Sequence, residues 1–314
     1  MDPVPVADLW PARMTEYSYH ARLSVKTRAL NHVRRLFQRP PLEGWLRGRT
    51  AGGSTRSPWA RLVPPEYTYP AASWREILSG GASLRLDLSN VTDHDAFFGF
   101  KDETLVRLHA LIRPEHTVVD IGGNIGIRAL EFARLAHQGL VVSFEPDPDT
   151  FQRLQEHAAR NPDRRITVRN VGIGPTAQVL PLYRVEPGNS GMNRLLPDSP
   201  AASLHPSVEV RILPLAEALD GTGATRVDLI KIDVEGFEMG VLEGSLPIIR
   251  RDRPVLFIEV DDDNLRRQGT SARSLVGLLE SLGYHVTDAR DARTLSSTDE
   301  FAGCHFDVLC TPRT

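Results

Sequence analysis

The chain has 314 residues, 41% of them hydrophobic and 25% charged, with a formal net charge of −3. That length and composition suit one large α/β domain plus an appendage. No apolar run approaches the length of a membrane-spanning helix, and the start, "MDPVPVADLW", is acidic and proline-broken, unlike a signal peptide.

Residues 1–75 hold 12 Arg and Lys against 5 Asp and Glu, a balance of +7, so the remainder carries −10. This asymmetry suggests two regions with different jobs, and the acidic remainder argues against nucleic acid as its partner. Proline and arginine recur in the first region, which looks poorly suited to a packed core, and "RGRTAGGSTRSP" (47–58) reads as a linker. Within it, Leu23, Leu30, Val33 and Phe37 recur at near-helical spacing with Lys26, Arg28, Arg34 and Arg35 between them. Packing of this basic helix on its own domain is the expectation. Peripheral membrane contact through residues 20–40 is the alternative.

From residue 82 the pattern turns regular. "SLRLDLSN" alternates like a strand, and "DETLVRLHALI" reads as a helix stopped by Pro114. "TVVDI", "LVVSFE" and "ITVRNVGI" are strands separated by the helices "GIRALEFARLA" and "PDTFQRLQEHAARN". After an irregular stretch, "VDLIKIDV" and "VLFIEV" are β-branched strands flanking "FEMGVLEGSLPIIRR". "SARSLVGLLESLGY" is a last helix, and "HVTDA" and "FDVLCT" close the chain. This predicts a doubly wound, mostly parallel, seven-stranded α/β sheet. The final pair lacks a crossover helix and must form an antiparallel hairpin. Cys304 and Cys310, six positions apart in a strand-like segment, would lie about 20 Å apart, too far for a disulfide. Two thiols alone make no zinc site. Reduced cysteines in a cytoplasmic protein are the expectation.

In a doubly wound sheet, ligands bind beyond the carboxyl ends of the strands, where the strand order reverses. The turn after "TVVD" is that place. Gly122, Gly123 and Gly126 let the backbone approach a ligand, Asn124 lies between them, and the next helix offers N–H groups to an anion. The dinucleotide fingerprint G-x-G-x-x-G fails here, because Asn124 and Ile127 fill its second and third glycine positions. Asp120 would repel a pyrophosphate but favour an ammonium group, as in S-adenosylmethionine. Glu145, ending the second strand, can accept hydrogen bonds from both ribose hydroxyls. Asn170 and Val171, after the third strand, stand where an adenine edge could be read. In "DLIKIDVEGFE", Lys231, Asp233 and Glu235 share one face of a strand. Buried charges need partners, and Glu259 is the expected partner of Lys231.

"DIGGNIG", "FEPDP", "NVGIG" and "IKIDVEGFEMGVLEG" resemble the FkbM-type S-adenosylmethionine-dependent methyltransferases, a family with the Rossmann-like class I methyltransferase fold. "HDAFFGFKDET" and "NSGMN" look like further family features, and the resemblance covers roughly residues 82–312. It implies O-methylation of a hydroxyl on a small natural product, sugar or polyketide. Residues 81–314 would form the methyltransferase domain, and residues 1–80 a basic, partly helical extension and linker. Family members often carry alanine where this chain has Gly123, a departure expected to affect only turn stiffness.

Cofactor binding is thus expected from Asp120, Gly122, Gly123, Asn124, Gly126, Glu145, Asn170, Val171 and Asp233. Asp233 or Glu235 is expected to remove the acceptor's proton, with His94 and His205, expected to be surface histidines, as alternatives. No metal ligand is assigned; a Mg²⁺-assisted version through Asp233 and Glu259 is a lesser alternative. So is a carboxylate or amine acceptor on the same fold, or a non-catalytic scaffold. A short-chain nicotinamide reductase needs a tyrosine four residues before a lysine, and Lys26, Lys101 and Lys231 are preceded there by Arg22, Phe97 and Val227.

Overall fold

The computed structural model describes residues 24–184, 193–195 and 207–313. The expected "NSGMN" feature, apart from Asn193, and His205 lie outside the described residues. The chain divides into two compact units, one holding the described residues up to Ile77 with Arg85–Lys101, the other Leu78–Leu84 with Asp102 onward. The division expected at residue 80 therefore falls in the turn of the hairpin β1 (Trp74–Ser79) and β2 (Ala82–Asp87).

The first unit corrects the expectation of a poorly packed appendage. Its helix Val25–Arg34 is capped by Ser24, whose Oγ accepts from the Thr27 N–H, and the helix Pro40–Thr50 starts on proline. The expected linker thus begins inside a helix. Leu46, Val63 and Tyr69 are buried, as are Leu86, Leu88, Phe97 and Phe98 from the later segment. The helix Val91–Phe98 is capped by Asn90, and Thr50 Oγ1 donates to the Phe98 carbonyl at 2.7 Å. Buried Glu43 is held by Arg75 in a two-pronged bond of 2.6 and 3.2 Å.

The second unit is built on a seven-stranded sheet. Its strands are β3 (Thr117–Ile121), β4 (Leu140–Phe144), β5 (Ile166–Arg169), β10 (Leu229–Ile232), β11 (Val255–Asp261), β12 (Tyr284–Asp288) and β13 (His305–Pro312). They run in the order β12-β13-β11-β10-β3-β4-β5, parallel except for β13, which pairs antiparallel with β11 and β12. β6 (Gly172–Ile173), β7 (Gln178–Tyr183), β8 (Arg194–Leu195) and β9 (Ser207–Leu213) make a separate four-stranded sheet. "ITVRNVGI", expected as one strand, is thus split at Asn170–Val171 between the two sheets.

Both faces of the large sheet are covered, which explains its apolar strands. One face packs Val119, Val142, Ile230 and Ile258 against the helices Glu238–Asp252 and Ala272–Ser281. The other packs Val118, Val141 and Leu229 against Ala129, Phe132 and Ala133 of the helix Ile127–Leu135. Toward the carboxyl ends, that second face turns polar at Asp120, Ser143 and Lys231. The order reverses between β3 and β10, so the cleft rule places a ligand there. Among the described residues, no helix is long and apolar enough to cross a membrane, and Cys304 and Cys310 are free thiols.

Candidate active site

The glycine turn packs directly against the end of β10. Gly122 has φ +80°, and a Cβ there would lie 1.8 Å from the Asp233 carbonyl oxygen, so no side chain is tolerated. At Gly123 a Cβ would lie 2.1 Å from Ser143 Oγ and 3.3 Å from Asp120 Oδ2. That corrects the stiffness expectation: Gly123 is required by the serine on the neighbouring strand. Gly126, at φ +90°, opens the helix Ile127–Leu135, whose first-turn N–H groups point out of the helix. Asn124 is left-handed at φ +47° without being glycine, a conformation that costs about 1 kcal/mol.

Asp120 is fully buried. Its register neighbours are Ser143 on β4 and Lys231 on β10. Ser143 Oγ donates to Asp120 Oδ2 at 2.9 Å, and Lys231 Nζ lies 3.5 Å from Oδ1. The ammonium that Asp120 meets is therefore the protein's own. Lys231 Nζ also lies 3.1 Å from Asp233 Oδ2 and donates to the Gly122 carbonyl at 3.2 Å. It thus donates to the Gly122 carbonyl and stands at ion-pair distance from Asp233 and Asp120, not Glu259, so the expected Lys231–Glu259 pair is corrected. Burial alone would lower the lysine's pKa; the charges of Asp233 and Asp120 outweigh it and raise it well above the ordinary value.

Glu145 stands at the opposite side of the turn. Oε2 accepts from the Asn124 N–H and Oε1 from the Asp147 N–H, both at 2.9 Å. Each oxygen retains a second lone pair for a ligand hydroxyl. Burial raises the carboxyl to about 7, against the lowering effect of those two N–H groups. Asn170 Nδ2 donates to the carbonyls of Glu145 and Pro146, each at 2.9 Å, so it holds the segment that presents Glu145. Val171 packs against the apolar core.

β10 ends at Ile232, so Asp233 and Glu235 lie in the turn beyond it and not on the strand as expected. The Asp233 side chain is 44% exposed, which leaves it open to an acceptor. Burial raises its pKa, but the Lys231 ammonium and a hydrogen bond from the Glu259 carboxyl prevail and hold it below the usual value. Glu259 is pushed upward by burial and then by the charges of Asp233 and Glu235; its Oε1 lies 3.1 Å from His305 Nε2. Glu235, at φ +53°, accepts from Asn264 Nδ2 at 3.2 Å and lies 3.6 Å from buried Arg194. Burial, then the Asp233 charge, raises Glu235 to about 7.

His94 is no surface loop residue. It sits in the helix Val91–Phe98, buried, with Nε2 at 2.8 Å from the Pro64 carbonyl and its ring against Phe98. Among the described residues, no group of three or more His, Cys, Asp or Glu is placed to hold a metal ion. Sequence reasoning missed Ser143, Arg194 and Arg128. Arg128 bonds Asp102 at 2.9 Å and Glu131 at 3.0 Å, and its charge is further favoured by Asp233. A signal existed, because a cation in the first turn of a helix opposes the helix dipole and calls for anionic partners.

A family model described as the methyltransferase FkbM domain matches residues 120–286, more than half of the chain. The chain belongs to this family. The strand order and glycine turn above are the framework of the class I methyltransferase fold, and the chain spans between 12% and 59% of the length of the first four curated relatives it matches. It is 29% identical over 244 residues to the 31-O-demethyl-FK506 methyltransferase FkbM of Streptomyces tacrolimicus, covering 68% of this chain and 87% of that one. It is 27% identical over 270 residues to the AMB antimetabolite synthetase AmbE of Pseudomonas aeruginosa, covering 73% of this chain but spanning only 12% of that protein's length. The solved methyltransferase FkbM from Methylobacillus flagellatus superposes with a TM-score of 0.44 at 19% identity, over 67% of this chain and 48% of that one.

Proposed function

We propose that this chain transfers a methyl group from S-adenosylmethionine to a hydroxyl of a small natural product, sugar or polyketide. One observation carries the reading: the glycine turn is flanked by two acids of different character, buried Glu145 and half-exposed Asp233. The donor set fits this cofactor. Glu145 would bind the ribose hydroxyls through its free lone pairs, and Asp233 stands near enough to the turn to attract positive charge. A pyrophosphate would be repelled by both. When bound, the cofactor supplies an activated methyl on a sulfonium.

The chain's own residues then align the acceptor and take its proton. With the cofactor supplying the methyl, the acceptor's hydroxyl proton would pass to Asp233. Lys231 keeps Asp233 ionised and in place. Glu259, whose pKa is pushed upward by burial and the Asp233 charge, steadies that carboxylate by a hydrogen bond. Two relatives carry O-methylation in their names, the FK506 enzyme and the 2-O-methyltransferase NoeI of Sinorhizobium fredii, which favours oxygen as the acceptor atom.

The test uses S-adenosylmethionine with an isotopically labelled methyl and a library of hydroxylated small molecules, read by mass spectrometry. The expected product carries the label as an ether, and Asp233→Asn slows its formation by about 10²–10⁴-fold with little effect on S-adenosylhomocysteine binding. Label found on nitrogen or on a carboxylate, or an unchanged rate in Asp233→Asn, overturns the assignment.

A further inference from the structure

The helix Val25–Arg34 sits on its own unit as expected, but not through its apolar side chains. Its one buried residue is Asn31. Asn31 Nδ2 donates to Tyr67 Oη at 3.0 Å, and the neighbouring Arg34 donates to the Arg61 carbonyl at 2.7 Å. The helix is thus held to its unit by polar contacts, while its apolar side chains face outward. Val25 is 73% exposed, Val33 and Leu36 49% each, and Leu30 38%. Val25, Val33 and Leu36 fall on one stripe at helical spacing. Leaving such side chains in water forgoes the gain of burying them. Four exposed aliphatic side chains within twelve residues therefore mark a candidate interaction surface.

The charges around the stripe say what covers it. Lys26, Arg28, Arg35 and Arg39 are exposed beside it, and the helix has no acid in its first turn. Phe37, next to Leu36 in the chain, stacks on Trp45 at 6.3 Å, and Trp45 meets Trp59 edge-on at 5.5 Å. Arg49 lies over both tryptophan rings, and both rings are more than one-third exposed. Outward aliphatic residues, flanking cations and half-exposed tryptophans are the combination that enters the headgroup region of a bilayer. A nucleic acid would use the cations but leave the aliphatic stripe in water.

We propose that this surface docks the protein on an anionic lipid bilayer, with the helix Val25–Arg34 lying in the membrane plane. The aliphatic stripe and the tryptophans enter the interface, and the basic residues meet lipid phosphates. The proposal is independent of the reading of the active site.

The full-length chain is tested by co-sedimentation with vesicles of phosphatidylcholine mixed with phosphatidylglycerol, against phosphatidylcholine alone. Partition into the anionic vesicles, weakening as salt rises, is expected. Lys26→Ser and Arg28→Ser should each weaken it by about fivefold. Val33→Asp with Leu36→Asp should weaken it by about tenfold or more at an unchanged melting temperature, which shows the variant is folded. Equal partition into neutral vesicles, or no partition at all, overturns the proposal. So does a dimer in light scattering that the paired aspartates dissociate, since the stripe would then cover a second copy. Binding to DNA that the paired aspartates leave intact also overturns it. A lower melting temperature with unchanged partition would show that the stripe is covered by the chain's own earlier residues, and that too overturns it.

Discussion

Asp120 and Lys231 occupy paired positions on adjacent parallel strands, and their charged groups lie 3.5 Å apart at the point where the sheet reverses its order. Lys231 also holds Asp233, so one buried cation joins the framework to the proposed catalytic carboxylate.

Lys231→Met therefore affects two properties. It leaves Asp120 as a buried, uncompensated carboxylate and should cost about 3–5 kcal/mol of stability, measured by chemical denaturation. Adding Asp120→Asn should recover part of that loss. The same change removes the charge that holds Asp233 low, so the acidic limb of the methyl-transfer rate should move to higher pH. An unshifted limb would show that Asp233 is not the group being titrated.

Gly123→Ala pushes a methyl group into Ser143 Oγ and threatens its bond to Asp120. The expected cost is about 1–3 kcal/mol, typical of overpacking. Ser143→Ala should be tolerated on its own and should restore most of the stability when combined with Gly123→Ala. Thermal melting of the four proteins in the cycle decides it: additive losses would show that the serine is not what excludes the methyl.

Among the acids whose carboxyls burial raises, three share one pH window. Burial raises Glu145, Glu235 and Glu238 from 4.5 to about 7. Between those values the folded chain binds more protons than the unfolded chain, so stability falls as pH rises. The stabilisation is complete below 4.5 and gone above about 7. Glu238 is nearly fully buried, with Oε1 accepting from the Gly236 N–H. Glu238→Gln keeps an acceptor there and removes the titration. The ligand-free variant should therefore show a flatter dependence of melting temperature on pH across that window. A slope equal to that of the parent protein would acquit Glu238.

The boundary between units also has consequences. A chain starting at Trp74 keeps Leu86, Leu88, Phe97 and Phe98 but loses Leu46, Val63 and Tyr69, the buried apolar residues of the same unit. It should be poorly soluble. A chain starting at Asp102 removes the first unit together with Leu78–Leu84 of the second; it keeps the seven-stranded sheet and should still fold, as judged by a cooperative melt. A well-behaved protein from Trp74 would show that the first unit contributes no core to residues 85–101.

Much of the large sheet was legible because its strands are short β-branched runs set between amphipathic helices, and because the last two strands lack a crossover. The glycine turn and Glu145 were legible because they follow strand ends in sequence. The partner of Lys231 was not legible. It depends on β10 lying beside β3 rather than on β11 alone, and alternation along a strand says which face a residue takes but not which neighbour it meets. Ser143 was invisible for the same reason. The orientation of the helix Val25–Arg34 was misread because apolar spacing reveals a stripe but not what faces it. There, Asn31 and Arg34 found polar partners and the stripe was left outside.

The most direct test of the central claim is calorimetric titration of S-adenosylhomocysteine into the protein and into Glu145→Ala. The account predicts binding by the parent chain. It predicts a loss of about 1–3 kcal/mol in the variant, the value of charge-assisted hydrogen bonds to the ribose, with an unchanged fold by circular dichroism. A parent chain that binds NADH and not S-adenosylhomocysteine, or a variant that binds S-adenosylhomocysteine as tightly as the parent, would contradict it.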